Sequence, residues 1–532
     1  MAMIVAVMVM LLLTLIPLLM FSQAIQQLPL ARHDQDHESA LHAAEAGVED
    51  YVNHLNANNN YWSSGNAPND GNPAFTGWVP VPGPTTTESF RYRVDTSTTL
   101  SNGIVYLTAS GGSCSGFSSS CPNGRVVRTI KVGLRKTGFL DYLYLTDYEI
   151  VDPALSGEPT SSCLFHAWEM NPSTGNYGPD LNRCSVIYMT TQATFNGPVH
   201  TNDGFYVCGN PNFNGLVDTY YNSPTSRSVS GQTSFAGSGV YQNKSGCVSA
   251  PTFRRAGDPA SGEDLQMPPA NTSIQTQAAL NGATGGCLFT GPTTIALHYT
   301  NNTGYMDVTS PKTRTINPSC ISAAQLVQLG LGRTVTNVAL PPNGVVYVQN
   351  IPAAVGNANH SSCSGNACLG DVNISNAASN GGLAGQLTVA SDDNVVITGN
   401  LTYHTYPGGF DVLGLVATNN VAINHPVDGN GNNASGSVTS PTVDAAILSL
   451  KHSFYVQNWA QGATLGTLTV NGVISQQFRG AVGTFNGQGP VTGYIKAYTY
   501  DTRLSYLTPP YFLNPILSAW RKLSFAELAP AY

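Results

Sequence analysis

MAMIVAVMVMLLLTLIPLLMF, residues 1–21, is the stretch that decides the fold of this chain. It contains no charged residue, and the first charge in the chain is at Arg32. An α-helix rises about 1.5 Å per residue, so this stretch is long enough to cross a bilayer core of roughly 30 Å. We therefore predict a long N-terminal helix with an apolar first half, and Pro17 and Pro29 predict kinks in it. The residues assigned to its apolar and small-residue surfaces are Met1, Val5, Leu12, Pro17, Phe21, Ala44 and Gly47.

The second half of this helix carries a face of small residues. Ala40, Ala44, Gly47 and Val48 recur at spacings of three and four residues, which places them on one side of a helix. Such a face lets another backbone approach closely. The helix is predicted to end near Asn56, where a polar loop begins.

Two simpler interpretations of the apolar stretch are a secretory signal peptide and an ordinary single-pass anchor. A signal peptide needs a basic start, a shorter apolar core and a small-residue cleavage site, and residues 22–31 offer only a poor site. An ordinary anchor does not explain the missing basic flank or the small-residue second half. A leader removed from in front of Met1 would explain the missing flank.

The composition indicates an exported, turn-rich β protein. Charged residues make up 10% of the 532 residues, well below the usual quarter, while glycine (54) and proline (33) are frequent. The net charge of −8 leaves no basic patch to neutralise phosphates, so we expect no nucleic-acid partner. The length is too great for one ordinary domain.

The ten cysteines suggest disulfides in an exported chain. None has the CxxC spacing typical of zinc sites. Pairing in sequence order would close local loops, although spacing alone does not fix the connectivity. The sequential pairs would be Cys114–Cys121, Cys163–Cys184, Cys208–Cys247, Cys287–Cys320 and Cys363–Cys368.

Three stretches after the helix are predicted as strands, at 88–95, 103–111 and 125–136. The first and the last alternate apolar and polar residues with the period of a strand, and the second is a more buried strand. They predict a small antiparallel sheet packed on the helix. We therefore predict three domains. They are an N-terminal transmembrane and assembly helix over 1–58, a sheet domain over 59–138 and an extracellular domain over 139–532.

The last of these domains contains a weak internal repeat. TFNGPVHT (194–201) matches NFNGLVDT (212–219), and NVVI (394–397) matches NVAI (420–423), with HSFYV (452–456) at a similar stage. Short strands with glycine corners predict a parallel β-helix-like domain, so the fold class is mainly β with a long N-terminal α-helix. A β-sandwich is the alternative. Aromatic residues in 509–520 are predicted to cap the last coil.

The sequence offers no catalytic constellation. It contains no HExxH, GxSxG or P-loop motif, and its acidic residues are sparse, so we expect no enzymatic activity. We also expect no cofactor. HDQDHE (33–38) is interpreted as a solvated polar collar, with zinc as the alternative. DGNGN (428–432) departs from an EF-hand loop at its sixth and twelfth positions, which leaves a non-EF calcium site as an alternative to a turn.

Residues 1–138 resemble the type IV pilins and the pseudopilins of type II secretion. The resemblance lies in the apolar helix half with its proline, in ALHAAEAGVEDYV (40–52), which is close to the Ala-Ala-Glu-Ala-Gly signature of large minor-pilin-like proteins, and in the small sheet. FLDYLYLTDYE (139–149), LGLVATNNVAI (413–423) and GYIKAYTYDTRL (493–504) resemble the large C-terminal domains of some of these proteins.

The resemblance implies a structural subunit of a surface filament that is held as a single-pass membrane protein before assembly and is involved in attachment. Its implied partners are other pilin-like subunits or copies of itself through the helix, the membrane before assembly, and a surface or glycan ligand. Val5 departs from the glutamate that most pilins carry at mature position five, which favours a tip subunit or a different first residue. The alternative function is a membrane-anchored surface adhesin or a carbohydrate-active protein on a β-helix.

Overall fold

The chain forms two compact units in a computed structural model. Unit 1 contains Met1–Leu100, Ile104–Lys136 and Ala519–Tyr532, and unit 2 contains Ser101–Gly103 and Thr137–Ser518. The structure describes residues 2–58, 61–64, 71–83, 88–99, 103–114, 126–191, 193–220, 228–229, 232–234, 240–243, 250–486, 489–516 and 518–529. For residues 2, 19, 21–33, 228–243 and 283 it describes at most the backbone.

Unit 1 begins with helix α1, Ala2–Ala57, followed by the short helix α2, Tyr61–Ser64. Neither Pro17 nor Pro29 interrupts α1, which differs from the local melting that prolines predict. A proline removes one N–H donor, and the hydrogen bonds on either side of it can hold the helix together. Thr14, the polar residue in the apolar half, donates its hydroxyl to the carbonyl oxygens of Met10 and Leu11 at 3.0 Å.

The sheet of unit 1 is antiparallel and has the order β1-β2-β3-β4-β35. Its strands are β1 Val79–Pro80, β2 Ser89–Asp95, β3 Val105–Ser113, β4 Val126–Lys136 and β35 Trp520–Leu528. The three stretches predicted as strands after the helix are β2, β3 and β4. The last strand comes from the C-terminal part of the chain, and it pairs Trp520 with Lys136.

One face of this sheet packs against the second half of α1. Tyr51 is fully buried, with its ring edge-on to Tyr92 at a centroid distance of 5.4 Å. Such aromatic pairs add to the free energy gained by burying their apolar area. The other members of this core are Ala44, Val48, Val52, Leu55, Tyr61, Ala74, Phe90, Val105, Leu107, Ala109, Ile130, Val132, Leu134 and Trp520.

Unit 2 is built on a large parallel sheet with a branch. Its main path is β17-β12-β9-β34-β31-β29-β27-β25-β23-β19. The 15-residue strand β31 pairs with β34 along its first half and with β5 along its second, so the sheet divides there into a branch of β5, β10, β13 and β18. The strands are β5 Tyr144–Tyr148, β9 Thr194–Asn196, β10 Val199–Thr201, β12 Asn212–Phe213, β13 Val217–Thr219, β17 Thr252–Phe253, β18 Ala260–Ser261, β19 Cys287–Thr290, β23 Val345–Gln349, β25 Gln386–Ser391, β27 Val412–Ala417, β29 Thr442–Ser449, β31 Thr464–Phe478 and β34 Gly493–Tyr500.

Two further sheets of unit 2 mix parallel and antiparallel pairs. One has the order β22-β21-β20-β24-β26-β28-β30 and the other β14-β15-β16-β11-β8. Their strands are β8 Met189–Thr190, β11 Phe205–Cys208, β14 Ser228–Val229, β15 Gln232–Ser234, β16 Val240–Asn243, β20 Thr293–Thr300, β21 Thr303–Thr309, β22 Val335–Ala339, β24 Val372–Asn376, β26 Val395–Ile397, β28 Val421–Ile423 and β30 Phe454–Val456. The remaining elements are the hairpins β6 Met170–Asn171 with β7 Asn176–Tyr177 and β32 Phe485–Asn486 with β33 Gly489–Pro490, and the helices α3 Pro153–Ser156, α4 Thr160–Cys163, α5 Thr272–Ala278 and α6 Ala323–Gly330.

The sequence repeats lie side by side in these sheets. Val395 of NVVI pairs with Val421 of NVAI, which pairs in turn with Phe454 of HSFYV. The two FNG segments also pair, with Phe213 beside Phe195. Since paired residues of parallel strands point to the same face, the apolar side chains stack in one core, and Asn394 and Asn420 form a hydrogen-bonded ladder beside it.

The predicted fold class is wrong as a description of the whole chain. The sheets are mixed, and a large branched parallel sheet replaces both the regular β-helix-like domain and the β-sandwich alternative. The division into two units also differs from the predicted three domains, because residues 519–532 return to the first unit.

The predicted end cap is wrong as well. The hydroxyl of Thr388 donates to the carbonyl oxygen of Pro510 at 2.5 Å, and Phe512 lies against Gly414. Thr388 and Gly414 belong to interior strands of the large sheet, so this segment covers the face of the sheet instead of closing an end.

Candidate functional site

The first half of α1 presents apolar side chains to solvent on every side. Residues 3–18 and residue 20 are all exposed, and the exposure of their large apolar side chains ranges from 47% at Leu15 to 82% at Met3. Val5, Leu12 and Pro17 belong to this exposed surface, while Met1 and the side chain of Phe21 lie outside the described residues. A helix that is apolar all round is normally covered, and none of the described segments of the chain covers these residues. We call residues 3–20 the apolar half-helix.

The second half of α1 is held closely on the sheet. Ala44 is fully buried and Gly47 is buried against Phe90, where an added Cβ would lie 3.0 Å from a ring carbon. The close approach that the small residues predict occurs at Gly111 of β3. A Cβ at that position would collide with the carbonyl oxygen of Ala40 and the backbone nitrogen of Ala44.

Polar groups also fix this half of α1. The hydroxyl of Tyr92 donates to Asp50 Oδ2 at 2.8 Å and accepts from Asn72 Nδ2 at 2.6 Å. Burial and the neighbouring carboxylate of Asp50 raise the pKa of Tyr92, so the hydroxyl stays neutral. Lys522 Nζ of β35 lies 2.6 Å from Glu49 Oε1 of α1. The helix is therefore tied to two different strands of its sheet.

Disulfides join three of the sequential cysteine pairs. The bonds Cys163–Cys184, Cys287–Cys320 and Cys363–Cys368 are present, at sequence separations of 21, 33 and 5. Cys114 and Cys208 are also disulfide-bonded, while Cys121 and Cys247 lie outside the described residues. Each bond within unit 2 closes a local loop, which restricts the unfolded chain.

Unit 2 contains a buried polar network that sequence reasoning missed. His166 Nε2 lies 3.0 Å from Asp147 Oδ1, and His166 Nδ1 lies 3.2 Å from Glu169 Oε2. Asn202 donates to Asp147 at 2.9 Å. The ring of His166 lies between those of Tyr148 and Trp168, at centroid distances of 4.1 and 5.0 Å. These residues come from three separate stretches of the chain, around residues 147, 166 and 202, so no single local motif predicts that they meet.

His166 keeps its positive charge in this network. Burial alone would lower the pKa of His166, but its contacts with Asp147 and Glu169 outweigh burial and raise it to about 10. The imidazolium therefore stays charged between two carboxylates at neutral pH. Burial raises the pKa of Asp203 to about 6, although its carboxylate accepts hydrogen bonds from the backbone N–H groups of Ala167 and Glu149. The arrangement holds three chain segments together and leaves His166 paired on both sides.

We expect the stability of unit 2 to fall between pH 7 and pH 10 because of His166. Its folded pKa of about 10 lies above the unfolded value of 6.5, so its contribution is complete below pH 6.5 and is lost as the pH rises through 10. Urea unfolding at pH 7 and pH 10 measures this loss. The decrease in the free energy of unfolding between pH 7 and pH 10 should be smaller in His166→Gln than in the wild type by about 1 kcal/mol or more. His42→Gln, at an exposed position, is the control, and equal losses in wild type and His166→Gln would contradict the expectation.

The two segments considered as alternative metal sites are residues 33–38 and residues 428–432. The carboxylate of Asp428 accepts hydrogen bonds from the backbone N–H groups of Asn430 and Asn432 at 2.9 Å, which is the geometry of a closed turn. The side chain of His33 lies outside the described residues, and Asp36 of the same segment accepts from Ser113 at 3.2 Å. Within the described ranges, no three His, Cys, Asp or Glu side chains are grouped as metal ligands.

Among the residues that the structure describes, no helix is both long enough and apolar enough to qualify as a membrane span. The predicted membrane stage stays a prediction.

Comparisons with known proteins add little. No family model matches the chain, and no curated protein matches it. A solved structure that matches is the competence-associated pilin ComZ from Thermus thermophilus, at 13% identity over 93% of this chain and 98% of that chain. The TM-score is 0.21, which is too low for the likeness to support a shared fold or function.

Proposed function

We propose that this chain is a structural subunit of a pilus-like surface filament and that it assembles through the apolar half-helix. The observation that carries the proposal is the exposure of residues 3–18 and residue 20 around the whole circumference of α1. The occupant that covers this surface is the same helix of other copies. An uncharged helix has no preferred polar face, so it can be surrounded by several copies at once.

The energetics favour such an assembly. Fourteen large apolar side chains of the half-helix are exposed by 47% or more. At about 1.5–3 kcal/mol for each side chain that leaves water, their burial gives on the order of 20–40 kcal/mol, shared among the neighbouring copies. Thr14 adds little desolvation cost because its hydroxyl already donates to helix carbonyls. A dry helix bundle is therefore accessible to this sequence.

The docked half of α1 supports the same proposal. The closely packed contact at Gly111 and the buried ring of Tyr51 hold the helix on its sheet. A force or contact that acts on the apolar half is then transmitted to the folded unit instead of bending a loose tail. We also propose that exposed aromatic rings on unit 2 contribute to attachment. Phe410 is 76% exposed and Tyr506 is 59% exposed, and both are available to a surface or a glycan.

The test introduces a charge into the half-helix of the full chain. We expect Leu12→Asp to lower the sedimenting, filamentous fraction at least tenfold, because an aspartate in a dry bundle costs several kcal/mol. Val355→Asp is the matched control, since Val355 is 83% exposed on unit 2 and its variant should assemble normally. Sedimentation, negative-stain microscopy and retention on a glass surface are the readouts.

Two results would count against the proposal. Normal filaments formed by Leu12→Asp would show that the half-helix is not in the assembly interface. A wild-type chain that stays monomeric at high concentration would favour a surface adhesin that does not assemble.

A further inference from the structure

Unit 2 contains a cavity of about 270 Å³ beside the first part of β34. Most of its wall is apolar, and two cationic side chains, Arg479 and Lys496, also line it. Small-molecule sites in proteins typically combine apolar walls with a few polar groups. The apolar and aromatic lining residues used in the argument are Val186, Ile187, Tyr188, Trp459, Phe485 and Ile495.

Arg479 is already neutralised by a buried partner. Its Nη1 lies 2.5 Å from Glu149 Oε2, and both side chains are almost completely buried. The guanidinium also lies 5.8 Å from the centre of the Tyr144 ring. Its Nε has no hydrogen-bond partner among the described residues. This pair therefore supplies one unused donor and no net charge.

Lys496 is the uncompensated cation of the cavity. It is partly buried, and within the described residues its ammonium group has no hydrogen bond or ion pair. Burial lowers the pKa of Lys496 to about 7, and the charge of Arg479 acts in the same direction, while the carboxylate of Glu149 offsets only part of this decrease. A lysine in such a place gains from any anion that enters, because the anion restores its charged form.

We propose that this cavity binds a small organic anion with an apolar body, whose acid group sits on Lys496. The volume corresponds to a compact ligand of about one ring, since drug-sized pockets begin near 300 Å³. The aromatic and aliphatic walls cover the body, and the ammonium of Lys496 neutralises the acid group. This proposal is independent of filament assembly, because every residue that carries it belongs to unit 2.

The experiment measures binding of phenylacetate to the full chain by titration calorimetry at pH 6 and pH 9. The uncharged 2-phenylethanol has the same ring and serves as the matched ligand. We expect phenylacetate to bind at least tenfold more tightly than 2-phenylethanol at pH 6. Its affinity should fall about tenfold or more at pH 9, where the free amine is mostly neutral, while that of 2-phenylethanol should not change.

Variants of the lysine separate charge from shape. Lys496→Met should abolish the preference for phenylacetate over 2-phenylethanol. Lys496→Arg should keep this preference, and its affinity for phenylacetate should not fall between pH 6 and pH 9. Lys451→Met, at an exposed lysine, is the control and should behave as wild type. Binding of 2-phenylethanol by Lys496→Met shows that the cavity is intact.

The proposal is overturned if the acid and the alcohol bind equally to the wild-type chain. It is also overturned if Lys496→Met retains the preference for the acid. Failure of butyrate, phenylacetate and naphthylacetate to bind at 10 mM would overturn it as well. A failure of filament assembly in Leu12→Asp would leave these measurements unaffected.

Discussion

Gly111→Ala should lower the hydrogen-exchange protection of the helix segment around Ala40–Leu55 roughly a hundredfold. The added Cβ would collide with the backbone of α1 at Ala40 and Ala44. Backbone atoms on a packed helix cannot rotate away as a side chain can, so the helix must lift from β3. The lift opens the core around Tyr51, and such overpacking costs about 3 kcal/mol.

Gly77→Ala is the matched control for this substitution. Gly77 belongs to the same unit, and the nearest atom to an added Cβ is a carbonyl oxygen at 3.9 Å. Neither glycine has a positive φ, so the comparison isolates the steric effect. An alanine without a collision normally stabilises a chain slightly by restricting its unfolded state. Unchanged protection of the helix in Gly111→Ala would show that α1 is not held at this point.

Arg479→Met should destabilise unit 2 by about 3–5 kcal/mol. The substitution leaves the carboxylate of Glu149 without its partner in a site where the side chain has no solvent exposure. Thr146 still donates a hydrogen bond to Glu149, but a hydroxyl does not replace a charge. The midpoint of urea unfolding, followed by near-ultraviolet circular dichroism, measures the loss.

The double variant Glu149→Gln/Arg479→Met tests the reason for this loss. Removal of both charges should restore most of the stability, because the pair is imperfect and Arg479 Nε already lacks a partner among the described residues. Arg128→Met is the control for the loss of an ion pair at a partly exposed position. Arg128 forms two hydrogen bonds with Glu527, at 2.6 and 2.7 Å, but the pair is partly exposed and should contribute about 1 kcal/mol or less. A double variant as unstable as Arg479→Met would contradict the buried-charge explanation.

Local patterns were sufficient for several elements of this fold. Period-two alternation identified β2 and β4, and a run of apolar residues identified the more buried strand β3. The repeated FNG and NV segments indicated strands that lie in parallel register, since stacked positions select the same apolar residues. Sequential order also matched the three disulfides whose cysteines are both described, because each of them closes a local loop.

Long-range pairing is what the sequence could not show. Strand β35 is mostly exposed at the edge of its sheet, with Arg521, Lys522 and Glu527 on it, so it has little apolar alternation. Its partner β4 lies almost 400 residues earlier. The same limit applies to the candidate sites. Asp147, His166 and Asn202, like Glu149 and Arg479, meet only once distant segments have paired.

The pairing of Trp520 with Lys136 has a mechanical consequence. These residues stand beside the two points where the long segment Thr137–Ser518 of unit 2 joins unit 1, so this segment is an insertion with both of its covalent connections at one pair of neighbouring strands. A pull on this segment therefore enters unit 1 at one place and is divided between two strands. From β4 the tension passes to β3 across nine paired residues, and from β3 to the helix that lies on it. A chain attached at one end only would carry the same tension through a single strand.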